Sequence, residues 1–293
     1  MMIESALAKL PFGPWRAAGP VVSVLRLSGV IGQTGPLRTG LSLAGTAAII
    51  ERAFAPKGQA AVALVVNSPG GSAVQSSLIA RRIRDLATEK EVPVFAFCED
   101  VAASGGYWLA CAADEIWADD SSIIGSIGVV FSGFGLHGFI QRHGIERRVY
   151  TAGERKVTLD SFAPEQEEEV AHLKSIQEDI HDAFKSIVRS RRGARLNGDE
   201  EDLFSGAFWS GRQALERGLI DGIGDLRTVM RGRFGEKVQL RVVQAGRRWF
   251  RRPGFEVGGT PGLASGLSSL ASELPGAALA AIEERALWAR YGL

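Results

Sequence analysis

Cysteine is nearly absent: Cys98 and Cys111 are the two in 293 residues. That is too few for a disulfide framework, and their surroundings (VFAFCEDV and WLACAADE) suit small buried hydrophobes. Charge of one sign is missing as well. With 34 Lys and Arg against 33 Asp and Glu, the formal net charge is +1, so no global field exists to hold nucleic acid or a polyanion, and neither is an expected partner. Long apolar runs are also lacking. The opening MMIESALAKLPFGPWRAAGP has neither the apolar centre of a signal peptide nor the ~20 apolar residues of a spanning helix. The Ala/Leu/Ser-rich stretch 263–293 is broken by Pro275. The expected location is the cytoplasm, extending to the inner face of the membrane. Glycine, by contrast, is abundant: 36 residues, nearly twice the usual share, which implies turns where backbone must approach something closely.

Periodicity predicts an α/β protein. The β-branched run at 20–31 (PVVSVLRLSGVI) and the continuous apolar run at 61–66 (AVALVV) read as strands, the second buried on both faces. Helical spacing follows each, over 42–54 and 72–87, and 93–98 (PVFAFC) returns to strand. Strand, helix, strand, helix, strand implies right-handed crossovers and a mostly parallel sheet with helices on its faces. The pattern continues with a short helix after Ala103, strand-like EIWA at 115–118, a helix near 134–141 and a strand at 145–150 (IERRVY). A long helix over 164–192 opens with Pro and acids and closes with basic residues, as the macrodipole favours. Its apolar residues Val170, Leu173, Ile176, Ile180, Phe184, Ile187 and Val188 recur at 3–4 spacing. A helix at 211–217 and a last run at 238–243 finish the core. The expected organisation is an N-terminal extension over 1–19, an α/β domain over 20–245, and a linker and tail over 246–293. Within that linker, 247–252 (RRWFRR) interleaves cations with aromatics and fits either a packed edge segment or a contact with an anionic membrane surface.

Two strand-to-helix junctions could carry chemistry. Asn67-Ser68-Pro69-Gly70-Gly71 follows a buried strand, and its glycines let backbone N–H groups face a ligand; a plain Pro-Gly-Gly turn is the other reading. In Asp100-Val101-Ala102-Ala103-Ser104-Gly105-Gly106, Ser104 stands at a helix start, where small neighbours leave its hydroxyl open as in a nucleophile elbow. An N-cap would account for the same serine. A nucleophilic serine needs a base. His172 and His181 lie on the long polar helix, and His137 and His143 flank a short one with no orienting Asp, so solvated or packed roles are expected of all four. Lys156, in TAGERK, is the first lysine after Ser104. It reads either as a loop lysine or as a base whose pKa burial has lowered.

NSPGG, DVAASGGYWLACAADEIWAD, IIGSIGVV, TAGERK and WSGRQALERGLIDGIG together resemble, in order and spacing, the SppA-type signal-peptide peptidases. That family is similar in fold to the Clp protease proteolytic subunit and to crotonases. The likeness runs from Val21 to Leu226. It implies a Clp protease/crotonase-like α/β core and a serine endopeptidase with Ser104 as nucleophile and Lys156 as general base. It also implies that Ser126 holds the lysine and that Gly70 and Gly105 donate oxyanion-hole N–H groups. This chemistry requires no cofactor and no metal. The implied substrates are signal-peptide remnants or other short or unfolded peptides. The implied assembly is a ring-shaped homo-oligomer whose active sites are shared between protomers. Two rival functions remain: a crotonase-like acyl-CoA enzyme with a carboxylate base from Glu99 or Asp100, and a catalytically silent peptide-binding scaffold.

Overall fold

A computed structural model describes residues 19–32, 40–153, 155–244, 282 and 284–293. The 247–252 run, the 1–18 stretch and most of the linker lie outside them. Among these residues eight strands form a single sheet: β1 (Val21–Ser28), β2 (Ala61–Ser68), β3 (Val94–Ala103), β4 (Glu115–Ala118), β5 (Ile123–Gly125), β6 (Phe208–Ser210), β7 (Gly222–Ile223) and β8 (Gln239–Val242). The main path is β6-β5-β3-β2-β1-β8, with β4 on β3 and β7 on β4. Every pairing is parallel except β5 with β6. The helices are α1 (Leu43–Phe54), α2 (Ala73–Lys90), α3 (Gly105–Ala110), α4 (His137–Arg142), α5 (Glu167–Arg192), α6 (Glu200–Leu203), α7 (Gly211–Glu216) and α8 (Leu226–Phe234).

The alternation of β2 explains its central place. Val62, Leu64 and Val66 enter the main core with Leu25, Leu27, Ile79 and Ile83. Ala61, Ala63 and Val65 enter a smaller core on the other face, with Phe95, Phe97 and Met230 of α8. A strand apolar on both faces is stable only where both are covered, which is the habit of parallel sheets. Ser42 and Ser72 cap α1 and α2 through their side chains, each satisfying a backbone N–H that the first turn leaves unpaired.

At the functional end the β2–β3 ladder slips. Val66 pairs with Cys98, yet Ser68 pairs with Ala102, so β3 carries extra residues there. The Asn67 side chain fills the irregularity, donating to Asp100 Oδ2 at 2.6 Å and accepting from Val101 N at 3.3 Å. Bulges of this kind re-aim the chain beyond them.

The long helix is observed over Glu167–Arg192, but only Phe184, Val188 and Arg192 are buried on it. Phe184 stacks on Trp108 with centroids 4.7 Å apart. Arg192 ties the helix end to the sheet through Asp221, at 2.7 Å. Burial works to raise the Asp221 pKa. Hydrogen bonds from Arg192 and the Ile116 N–H outweigh it and hold the carboxyl below its ordinary value. Burial also pushes the Cys111 thiol up to about 12 and raises the Cys98 thiol, so both behave as inert hydrophobes.

The strand expected at 145–150 is not formed. Among the described residues from 128 to 183 none is buried, and Val130, Phe131, Phe134, Phe139, Ile145 and Tyr150 expose more than half of their surface. The alternation of IERRVY pairs with no strand among the described residues, and its backbone stays irregular.

Candidate active site

The sheet register assembles the site. Ala103 of β3 pairs with Gly125 of β5, so Ser104 and Ser126 are the next residues on neighbouring strands. Ser104 N donates to Gly125 O at 2.8 Å, and Ser126 N donates to Ala207 O at 2.6 Å. Both serines have φ of +53°, a conformation that costs a non-glycine residue about 1–3 kcal/mol and persists only where the surroundings enforce it. Ser104 occupies the N-cap position of α3 but makes no capping hydrogen bond. The capping explanation therefore fails, and the hydroxyl remains half-buried and uncommitted.

Gly70 abuts the nucleophile candidate. With φ at +100°, a Cβ there would lie 2.8 Å from Ser104 Cβ and 2.9 Å from Gly105 N. The Gly70 N–H donates to Ser68 Oγ at 3.2 Å, a long bond for which a stronger acceptor could compete. Beside this junction lies a cavity of about 690 Å³ lined by Ser104, Gly105, Ser126, Gly71, Trp108 and Phe184, among others. Among the described residues that line it, Arg290 and His181 are the ionisable groups beside Tyr291, none is Asp or Glu, and the walls are more apolar than polar.

Lys156 does not line this cavity. It is exposed, in the loop before α5, where its N–H donates to Gly153 O at 3.2 Å. Neighbouring Arg155 pairs with Glu168. The structure thus brings Ser104, Ser126, Gly70 and Gly105 together and leaves Lys156 elsewhere on the same chain. Glu99 is paired with Arg26 and Asp100 is held by Asn67; neither reaches the cavity lining.

Two lining residues were not expected there. His181 Nε2 lies 3.1 Å from Ile127 O. A carbonyl oxygen can only accept, so Nε2 carries the proton in this contact and is not placed to take one from Ser104. Tyr291 donates to Ser126 Oγ at 3.3 Å. The signal that could have found it is the aromatic pair Trp288 and Tyr291 in an otherwise Ala/Leu-rich tail.

A mostly parallel sheet with an uncapped serine at positive φ where a strand runs into a helix has the geometry in which a nucleophile elbow can be built. The profile of Peptidase family S49 matches residues 87–239, and the chain belongs to that family of serine peptidases. It is 51% identical over 285 residues to the Na(+)/H(+) antiporter NhaA of Brucella abortus (strain 2308), covering 95% of this chain and 38% of that protein. It is 33% identical over 210 residues to the chloroplastic serine protease SPPA of Arabidopsis thaliana, covering 70% of this chain and 31% of that one. The chain thus spans between about a third and two-fifths of the length of these relatives. Among solved structures, the 1510-N membrane-bound stomatin-specific protease matches with a TM-score of 0.50 at 16% identity, over 78% of this chain and 99% of that one. This match shows the Clp protease/crotonase-like fold. No helix among the described residues is long and apolar enough to cross a membrane.

Proposed function

We propose that the chain is a serine endopeptidase in which Ser104 attacks the peptide and Lys156 of a second copy acts as general base. The observation that carries this reading is the pairing of an uncapped, strained Ser104 in a carboxylate-free cavity with a lysine held outside that cavity. Lys156 sits on a segment whose apolar side chains are uncovered. An aliphatic amine in water is charged at neutral pH and accepts nothing; desolvation at an interface is what frees its lone pair. Docking of the 128–163 segment onto another protomer would bury Phe131, Phe134 and Tyr150 and desolvate the lysine in one event. Repetition of that heterologous contact closes as a ring.

In the reaction, Ser104 Oγ bonds to the scissile carbonyl carbon while its proton passes to Lys156 Nζ. The resulting oxyanion accepts N–H bonds from Gly70 and Gly105, a type of contact worth ~10²–10³ in rate. Collapse expels the amine, which takes the proton back from the lysine ammonium. Water then releases the acyl group by the same steps, and Ser126 holds the lysine throughout. The apolar walls suit signal-peptide remnants or other short, extended peptides with apolar side chains. The acyl-CoA alternative needs a carboxylate base, and the described residues lining the cavity provide none. A silent scaffold would leave the strain at Ser104 without a purpose.

The test is mixed assembly. Ser104→Ala and Lys156→Ala proteins are each expected to be inactive. Dissociated and reassembled one to one, they should regain about a quarter of the wild-type sites, since only interfaces pairing an intact serine with an intact lysine work. Verified mixed oligomers that stay inactive would overturn the shared site.

A further inference from the structure

The segment 284–293 returns to the catalytic end of the sheet and docks there. Tyr291 is 9% exposed, and its ring packs with Val101 and Ala103 of β3, Ile123 of β5 and Trp288. Its edge meets Phe208 of β6, with centroids 5.2 Å apart at 74°. The ring therefore lies across the strands that end in Ser104 and Ser126, and its hydroxyl reaches Ser126 Oγ. Leu287 and Arg290 of the same segment line the cavity.

Ser126 Oγ is buried, 3% exposed as a residue, on a backbone fixed by its bond to Ala207. A hydroxyl oxygen offers one proton and two lone pairs. With one lone pair occupied by the Tyr291 phenol, the side-chain rotamer is set, and the other lone pair is left to accept an N–H from an incoming amine. We propose that Tyr291 is a positioning residue: by holding Ser126 it fixes the direction in which the base is presented to Ser104. This inference rests on the serine–lysine reading above, because it concerns the partner that Ser126 offers to the lysine. Tyr291 borders the same cavity, but in this role it acts through Ser126 and not on Ser104 itself.

The experiment is a double-mutant cycle on the full, assembled protein, using Tyr291→Phe, Ser126→Ala and the pair. Phenylalanine keeps the ring contacts, and thermal melting confirms that each variant is folded. Loss of one orienting hydrogen bond is expected to lower kcat about three- to tenfold with KM unchanged. The rate of fluorophosphonate labelling at Ser104 should fall by the same factor. In the Ser126→Ala background the second substitution should cost nothing more, because the group it acts through is gone. The proposal is overturned by a Tyr291→Phe protein with wild-type kcat, by equal losses in both backgrounds, or by a rise in KM alone. Ser104→Ala and Lys156→Ala serve as controls. If either retains hydrolysis, the serine–lysine reading falls and this inference with it. If both are inactive and Tyr291→Phe is unchanged, only the role of Tyr291 is refuted.

Discussion

Gly70→Ala is the sharpest test of the geometry around the proposed nucleophile, Ser104, because the protein contains its own control. Gly70 and Gly29 have nearly the same φ, +100° and +103°, but different surroundings. A Cβ at Gly29 meets nothing within 4 Å, whereas at Gly70 it lies 2.8 Å from Ser104 Cβ and 2.9 Å from both Ala103 O and Gly105 N. Two of those three neighbours are backbone atoms of the β3–α3 junction, which cannot rotate away. Both alanines bear the cost of a side chain at positive φ, about 1–2 kcal/mol. Only Gly70→Ala must also push Ser104 and Gly105 apart, and displacing one oxyanion donor costs ~10²–10³ in rate. In thermal melts Gly29→Ala should therefore lose modest stability and keep its kcat/KM for a peptide substrate. Gly70→Ala should lose at least 100-fold in kcat/KM and react slowly with a fluorophosphonate, even at temperatures where it is fully folded. Equal kcat/KM for the two folded variants would refute the placement of Gly70 against the nucleophile.

Ser104→Ala should abolish hydrolysis, while Ser126→Ala should cost only about 1–3 kcal/mol of activation free energy, the usual penalty for a lost positioning bond; equal residual rates would contradict this division. Phe134→Asp, at a side chain 84% exposed, should leave the melting temperature unchanged but yield a smaller, inactive species in sedimentation, and an intact active assembly would dismiss the segment as an interface. Asp221→Asn should destabilise the fold by about 3–5 kcal/mol by stranding Arg192, which is 2% exposed. Because the folded-state pKa of Asp221 is lowered, its contribution is complete above the unfolded value near ~4 and is lost as pH falls through the folded value; urea melts of the variant should therefore show a flatter acid limb than wild type. Replacing the four arginines of 247–252 by serine should reduce co-sedimentation with anionic vesicles, and unchanged binding would remove the membrane-surface reading.

The parts of the fold that could be read from the sequence are those whose cover comes from the same chain. AVALVV announced a strand buried on both faces because both faces are in fact covered, by the main core and by α8. The junctions NSPGG and VAASGG could be read because their glycines and small residues allow the approach of β2 to α3 that the structure displays. IERRVY misled because alternation marks a strand only where a neighbouring strand pairs with it, and 145–150 is exposed and unpaired. The apolar stripe of α5 was similarly half legible: Phe184 and Val188 are buried, yet Ile176 remains 43% exposed. Tyr291 escaped notice because its partners, Val101, Ile123 and Phe208, are distant in sequence. His181 escaped because a polar helix face gives no sign of which cavity it borders.

The strain at Ser104 and Ser126 links this fold to the proposed chemistry. Isolated, either residue would relax from φ of +53° and gain about 1–3 kcal/mol. Neither can relax without breaking its hydrogen bond to the adjacent chain, Gly125 for Ser104 and Ala207 for Ser126. Those acceptors are themselves fixed by the β3–β5 and β5–β6 pairings. Behind them stand Ala102, Ile124 and Trp209, all within the main core. The burial that stabilises the sheet therefore also enforces two unfavourable serine conformations on neighbouring strand ends, directing both hydroxyls toward one cavity. A scaffold of this kind can preorganise a nucleophile and the seat for its base without holding the base itself. That division suits the proposed site completed by assembly, in which the strained half is built by folding and the lysine would arrive only when a second protomer covers the exposed segment of the first.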